Sequence, residues 1–311
     1  MATSDPGNDG RIRCALCNEL SVIRLRDRNR QLCAEHFAAD LSERVRETIT
    51  SHAMIAPGDR IAVAFSGGKD STALLLLLRD LVTASDDITL VAITVDEGIA
   101  GYRSDTIRSA ESLAEELGIE QVIVSFSGLF GKDLDAILES QKERACSICG
   151  ILRRKALLSA AQAAGATKIA TGHNLDDEAQ SVLMNALRGD LARLVRDSSS
   201  RSGDCFIPRI KPLKDISEKE IAVFLMARGR FPELPECPYT RYALRAEIRS
   251  RLSSLEYRHP GTMKRLVSGK ERLTSVLDGI PLGGAINRCR ECGEPCSGTV
   301  CQTCQLIASL L

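Results

Sequence analysis

Between residues 58 and 190 short apolar runs alternate with helix-length segments, and this alternation limits the fold more than any other feature of the chain. Residues 61–65 form an apolar run bounded by Gly58-Asp59 and by Ser66-Gly67-Gly68, as expected of a strand buried on both faces. Further strands are expected at 89–95, 121–126 and 168–171. Helices are expected at 72–82, 103–117, 134–144, 152–164 and 176–187, with Gly118 and Gly165 as stops. Strand alternating with helix predicts an α/β fold, a doubly wound and mainly parallel sheet covered on both faces. Beyond residue 215 the pattern turns helical, at 218–227, 244–254 and 261–267. A length of 311 residues suits one large domain or two ordinary ones.

The chain has 12 cysteines but only 4 histidines and no tryptophan. No basic start followed by an apolar stretch opens it, so the expected compartment is the reducing cytoplasm. Clustered cysteines there serve as metal ligands or reactive thiols rather than disulfides. Cys14-x-x-Cys17 is followed by Cys33-x-x-His36, and Cys289-x-x-Cys292 by Cys301-x-x-Cys304. Each set offers four donors and no open position, which predicts two structural Zn²⁺ sites whose metal folds the small module around it. Cys296 reads as an ordinary free thiol and Cys205 as a small buried hydrophobe. Cys146, Cys149 and Cys237 remain. Three thiols make an incomplete zinc site, and suit either a metal centre with one open position or a redox pair with a third thiol nearby.

In an open α/β sheet, ligands lie at the carboxyl ends of the strands. The first such loop is Ser66-Gly67-Gly68-Lys69-Asp70-Ser71, directly after a strand and opening a helix. Two glycines let the backbone approach an anion, and the helix start binds phosphate through its N–H groups. The spacing is not that of a Walker loop. The other strand-end loops run from Thr94-Val95-Asp96-Glu97-Gly98-Ile99 to Gly101-Tyr102-Arg103, and from Thr171-Gly172-His173-Asn174 to Leu175-Asp176-Asp177-Glu178. Asp176 and Asp177 are either ligands or helix-start residues favoured by the helix dipole, and His173 is either functional or a packed strand-end residue.

Ser66 to Ser71 resembles the PP-loop of the N-type ATP pyrophosphatases, which split ATP into AMP and pyrophosphate to adenylate a substrate. With the two terminal knuckles, the Cys146–Cys149 pair and Cys237 in Glu-Cys-Pro-Tyr, the chain resembles the tRNA 2-thiouridine synthetases over about residues 11–311. The run from Leu183-Met184-Asn185 through Leu187-Arg188-Gly189-Asp190 to Ala192-Arg193-Leu194 looks most like the archaeal and eukaryotic cytosolic enzymes of the wobble uridine; the T-loop branch is the alternative. That branch carries a catalytic Lys where this chain has Arg153. Arg keeps its proton, so the position can bind phosphate but is poorly suited to act as a base.

The resemblance implies a PP-loop ATPase fold of the adenine nucleotide alpha hydrolase type, flanked by zinc fingers. It implies ATP at Ala64, Ser66, Gly67, Gly68, Lys69, Asp70, Ser71, Val95, Arg153, Gly172 and Asp176, with Mg²⁺ on Asp70 or Asp176. It implies a 4Fe–4S cluster on Cys146, Cys149 and Cys237, although a cluster-free persulfide route needs only two adjacent thiols. Catalytic roles are expected for these cysteines, Asp70, Arg153 and Asp176. The implied partners are tRNA and a sulfur donor, a thiocarboxylated ubiquitin-like protein or sulfide, and a homodimer is left open.

Lys plus Arg equals Asp plus Glu at 41 each, so any anion surface must be local. Residues 188–214 carry seven Lys/Arg against three Asp, and 241–272 nine against three Glu. Both suit RNA phosphates, while 4% aromatics argues against broad base-stacking platforms. The longest wholly apolar run, residues 221–227, is too short to span a bilayer. An RNA-binding zinc protein without catalysis would not need the phosphate loop, and an amide-forming PP-loop ligase would not need the three extra cysteines. The expected division is 1–40, N-terminal finger; 41–215, PP-loop domain; 216–284, helical extension; 285–311, C-terminal ribbon.

Overall fold

The computed structural model describes residues 12–310, apart from 27, 84–86, 140, 196–206, 236, 240–243 and 278–286. Cys205 and the middle of the first basic stretch lie outside the described residues. The chain opens with an antiparallel hairpin, β1 (Ile23–Leu25) and β2 (Arg30–Leu32), and helix α1 (Ala34–Ser51). Then come β3 (Arg60–Ala64), α2 (Lys69–Val82), β4 (Thr89–Asp96), α3 (Arg103–Leu117), β5 (Glu120–Ser125), and the short α4 (Phe126–Phe130) and α5 (Leu134–Ile137). A single 3₁₀ turn at Lys142–Arg144 leads into α6 (Ala145–Ala163), followed by β6 (Lys168–Ala170), α7 (Leu175–Leu187), α8 (Leu191–Val195), β7 (Arg209–Ile210) and α9 (Glu218–Ala227). Helices α10 (Leu244–Arg258) and α11 (Thr262–Val276) precede a second small hairpin, β8 (Asn287–Arg288) with β9 (Pro295–Cys296), and α12 (Gln302–Leu310).

Strands β3 to β7 form one parallel sheet in the order β5-β4-β3-β6-β7. Successive side chains on a strand point to opposite faces. Accordingly Ile61 and Val63 of β3 enter one core and Ala62 the other. The first core holds α1, α2, α9 and the N-terminal hairpin; Phe37, Leu74, Leu75, Leu77, Leu78 and Phe224 are among its fully buried side chains. Residues 71–78 of α2 are all buried, which its unbroken run of leucines requires. The second core lies under α4, α5, α6 and α12. A third, smaller cluster joins Ala179 of α7 to Ile248 and Leu252 of α10 and Met263 and Val267 of α11.

Several expected helices differ from those observed; those expected at 244–254 and 261–267 run on to Arg258 and Val276. The helix expected at 134–144 stops after Ile137, because the sequence from Glu139 to Arg144 is wholly polar and offers nothing to hold a longer helix on the core. The helix expected at 152–164 begins at Ala145, because Ala145, Ile148, Cys149 and Leu152 recur at helical spacing and are buried together. Cys146 and Cys149 are therefore helical residues, in the first two turns of α6. Phe126, expected in a strand, instead starts α4, with the Ser125 hydroxyl accepting from Gly128 N at 3.0 Å.

Candidate active site

The chain runs from β3 to its neighbour β4 and on to β5, then crosses back to β6 on the other side of β3. The carboxyl ends of β3 and β6 thus border the switch point of the sheet, where ligand clefts open. Ser66 to Ser71 leaves β3 there. Gly67 has φ +81°, and a Cβ on it would lie 2.4 Å from Thr106 O, so only glycine fits. The Ser71 hydroxyl donates to Gly68 O at 2.9 Å and lies 3.1 Å from the Ser66 hydroxyl, which winds the loop tightly into α2. No side chain caps α2, so its first N–H groups face the cleft for an anion.

The β6 loop closes on this turn. A Cβ on Gly172 would meet the backbone of Asp70 at 3.0 Å, which brings the two loops into direct contact. Asn174 Nδ2 donates to Asp70 Oδ1 at 3.0 Å, and Lys69 Nζ lies 2.8 Å from Asp70 Oδ2 and 2.9 Å from Glu218 Oε1. Burial alone would depress the Lys69 ammonium, but Asp70 and Glu218 together hold it above its ordinary value. Lys69, Asp70, Asn174, Glu218, Arg245 and Arg249 line a cleft here. Asp177 makes a capping box with Asn174 at the start of α7. Asp176 accepts from Glu218 N, the first N–H of α9, at 2.8 Å, beside the Ser217–Glu220 capping box; burial raises its carboxyl above the ordinary range. His173 Nδ1 lies 2.9 Å from Thr171 Oγ1. Ala64 ends β3, and the carbonyl of Val95 on β4 accepts from Arg103 Nε at 2.9 Å.

The cysteine centre lies on the second core. Cys146 is exposed and Cys149 buried, one turn apart on α6. Cys237 comes from a separate segment that packs, with Tyr239, against the same core. Cys146 Sγ lies 3.8 Å from Tyr239 O, and the Tyr239 hydroxyl donates to Asp135 Oδ1 at 2.7 Å, which pins that segment over α6. Cys146 and Cys237 lie close enough to Cys149 to oppose its ionisation, and Cys146 likewise opposes that of Cys237. They do not converge as the ligands of a single tetrahedral ion do: among the described residues only the two terminal knuckles have all donors within 4.8 Å. Burial pushes the Cys149 thiol up to about 11, against the pull of Arg153, and burial raises Cys237 as well.

Arg153 follows Cys149 by one helical turn and donates from Nη2 to its sulfur at 3.2 Å. Its Nε donates to Glu97 Oε1 at 2.6 Å. Glu97 is 3% exposed and also lies 2.8 Å, through Oε2, from Nε of Arg103, which is 4% exposed. Arg103 spends its N–H groups on Val95 O, on Ser66 O at 3.0 Å and on Thr106 Oγ1 at 2.8 Å, so Oε2 receives no aligned donor. Sequence reasoning quoted Glu97 and Arg103 only as parts of a motif.

The knuckles fit zinc. A tetrahedron with bonds of about 2.3 Å has corners about 3.8 Å apart. Cys17 and Cys33 are separated by 3.7 Å, Cys33 and His36 Nδ1 by 3.2 Å, Cys14 and His36 Nδ1 by 3.6 Å, and Cys292 and Cys301 by 3.8 Å. Cys289 and Cys304 complete the second set. Backbone N–H donors, that of Cys301 foremost, lower the Cys289 thiol to about 6. Cys296 stands outside the set and donates to Gly298 O at 3.0 Å.

The PP-loop domain family matches residues 35–255. The tRNA 2-thiolation protein NcsA of Haloferax volcanii is 37% identical, over 96% of this chain and 98% of its own. Cytoplasmic tRNA 2-thiolation protein 1 of Danio rerio is 36% identical, over 96% of this chain and 88% of its own. Among solved structures, the U34-tRNA thiolase NcsA from Methanococcus maripaludis with its [4Fe-4S] cluster superposes with a TM-score of 0.84 at 33% identity, covering 96% of each chain. The phosphate loop, the knuckles and the three-cysteine centre thus occur on a chain that is similar to these proteins from end to end, and it belongs to the tRNA 2-thiolation proteins of the PP-loop family.

Proposed function

We propose that this chain thiolates C2 of the wobble uridine in tRNA at the expense of ATP. The observation that carries the reading is the link between two half-sites. Arg103 bonds the carbonyl of Ser66 in the phosphate loop, Arg153 bonds Cys149, and Glu97 joins the two arginines. The uridine C2 oxygen is a poor leaving group. Its attack on the α-phosphorus of ATP gives an AMP ester and releases pyrophosphate, and a sulfur nucleophile then displaces AMP at C2. The loop from Ser66 to Ser71 cradles the phosphates with its N–H groups, Lys69 contributes a fixed cation, and Asp70 or Asp176 holds Mg²⁺. Both candidates are already engaged, Asp70 by Lys69 and Asn174 and Asp176 by the start of α9, so nucleotide binding must displace or share a contact.

Three soft donors on a wider frame than a zinc site suit an iron–sulfur cluster on Cys146, Cys149 and Cys237. Such a cluster, when bound, supplies one iron without a protein thiolate, where hydrosulfide can be received. The chain's own part is to seat it: α6 gives two ligands, the segment pinned by Tyr239 gives the third, and Arg153 donates to Cys149. The terminal knuckles hold structural zinc. Helices α10 and α11 expose Arg245, Arg249, Arg251, Arg258 and Arg265 for RNA phosphates. Division at 40, 215 and 284, a cytoplasmic location, a thiocarboxylate or sulfide donor and a homodimer complete the reading.

The test incubates the purified, anaerobically reconstituted protein with unmodified tRNA, ATP and sulfide, and follows AMP release and nucleoside mass. We expect tRNA-dependent AMP and 2-thiouridine in an anticodon fragment. Sulfur in a T-loop fragment would move the chain to the other branch, and thiolation by an iron-free preparation would replace the cluster with a persulfide route. AMP without sulfur transfer would overturn the thiolase reading.

A further inference from the structure

We propose that Glu97 is a positioning residue that couples the phosphate loop to the cysteine centre; the proposal rests on the functional reading above. The link is short, three hydrogen bonds and one ion pair. Ser66 O accepts from Arg103 Nη1 at 3.0 Å, Arg103 Nε lies 2.8 Å from Glu97 Oε2, Glu97 Oε1 accepts from Arg153 Nε at 2.6 Å, and Arg153 Nη2 donates to Cys149 Sγ at 3.2 Å. Its main chain is held from both sides. Glu97 O accepts from Leu134 N at 2.8 Å, and Gly98 packs so tightly on Asp133 that a Cβ would approach it to 2.5 Å. The carboxylate is therefore aimed by rigid surroundings.

Stability does not ask for this arrangement. A buried ion pair such as Glu97–Arg103 is commonly replaced by apolar residues without loss. What an apolar pair cannot do is orient Arg153, whose side chain is 53% exposed and whose Nε is held by Glu97. Glu97 carries one negative charge between two guanidinium groups, so one positive charge remains uncompensated and faces the sulfur of Cys149. A shift of Ser66 on nucleotide binding moves Arg103, and through Glu97 it moves Arg153. Groups that orient a metal ligand in this way typically change affinity or activity by about 10–100-fold when altered.

The test compares wild type with Glu97→Asp, which keeps the charge beside Arg103 but is too short to reach both arginines. Arg153→Lys shortens the other end of the link, and Asp105→Asn, an exposed carboxylate on α3, serves as control. Iron content and the low-temperature EPR spectrum of the reduced protein are read with and without a non-hydrolysable ATP analogue. We expect the analogue to change the spectrum of wild type and control. Glu97→Asp and Arg153→Lys should bind iron and analogue yet lose that response, with kcat about 10–100-fold lower and KM for ATP unchanged. Equal responses in wild type and Glu97→Asp, or no response in wild type, would overturn the coupling. So would a Glu97→Asp protein that has lost iron or analogue binding outright, since that outcome describes a merely structural residue. Wild type without iron or nucleotide binding would overturn the functional reading itself.

Discussion

The two terminal knuckles differ in donor set, three thiols and an imidazole against four thiols, and they attach to opposite halves of the molecule. Cys14 and Cys33 are buried in the first core, with Ile23, Leu25 and Leu32 beside them, against the helices that carry the phosphate loop. The C-terminal knuckle touches the second core mainly through α12, where Leu306 is 8% exposed, and through an ion pair between Lys155 of α6 and Glu294. One knuckle is thus part of the nucleotide half's core, and the other is a brace on the helix of the cysteine centre. The difference teaches that two four-donor knuckles of similar build need not contribute alike to stability.

The largest effect should separate them most clearly. Cys33→Ser should release one zinc and cost more than about 4 kcal/mol of unfolding free energy, because it empties a donor site inside a shared core. Cys289→Ser should release one zinc at a global cost of only about 1–2 kcal/mol, read by denaturant titration, while iron uptake at α6 falls. Equal costs would break the comparison. Next comes the nucleotide half alone. Asp70→Ala should lower AMP formation by about 10²–10³-fold, the range for losing one preorganised electrostatic group, with both zinc ions retained. Normal adenylation by this variant would remove Asp70 from the site.

How far these halves could be read from sequence depends on range. The knuckles, Ser66 to Ser71 and the strand–helix alternation are local patterns, and spacing alone exposes them. The cysteine centre was legible as residues but not as geometry, since nothing local says that α6 begins at Ala145 and carries both Cys146 and Cys149 on its first turns. Strand β7 has two residues, too few for any periodicity. The link through Glu97 was invisible because its partners are 6 and 56 positions away. The sequence left Asp176 and Asp177 open between ligands and helix-start residues: Asp177 forms the capping box of its own helix, whereas Asp176 accepts from the first N–H of a helix 42 positions on, a contact no local pattern reveals.

Smaller effects sharpen the brace. Leu306→Ala should cost about 2–3 kcal/mol, and hydrogen exchange should rise in α6 and not in α2. Equal protection in both helices would mean that α12 braces nothing. Lys155→Ala should cost no more than about 1 kcal/mol, because its pair with Glu294 is partly exposed and screened by salt. A larger loss would make that pair a true part of the second core.

The docking of α12 on α6 also bears on the order in which the chain is made. Helix α6 ends at Ala163 and α12 begins at Gln302. At a synthesis rate of about 5–20 residues per second, the ribosome delivers the covering helix roughly 7–30 s after the helix it covers. Through that interval Cys146 and Cys149 sit on a nascent helix with part of its apolar face bare. The parallel sheet around β3, and the knuckle that shares its core, can meanwhile assemble. The nucleotide half is therefore built first, and the cysteine centre is the last region of the molecule to acquire its finished surroundings.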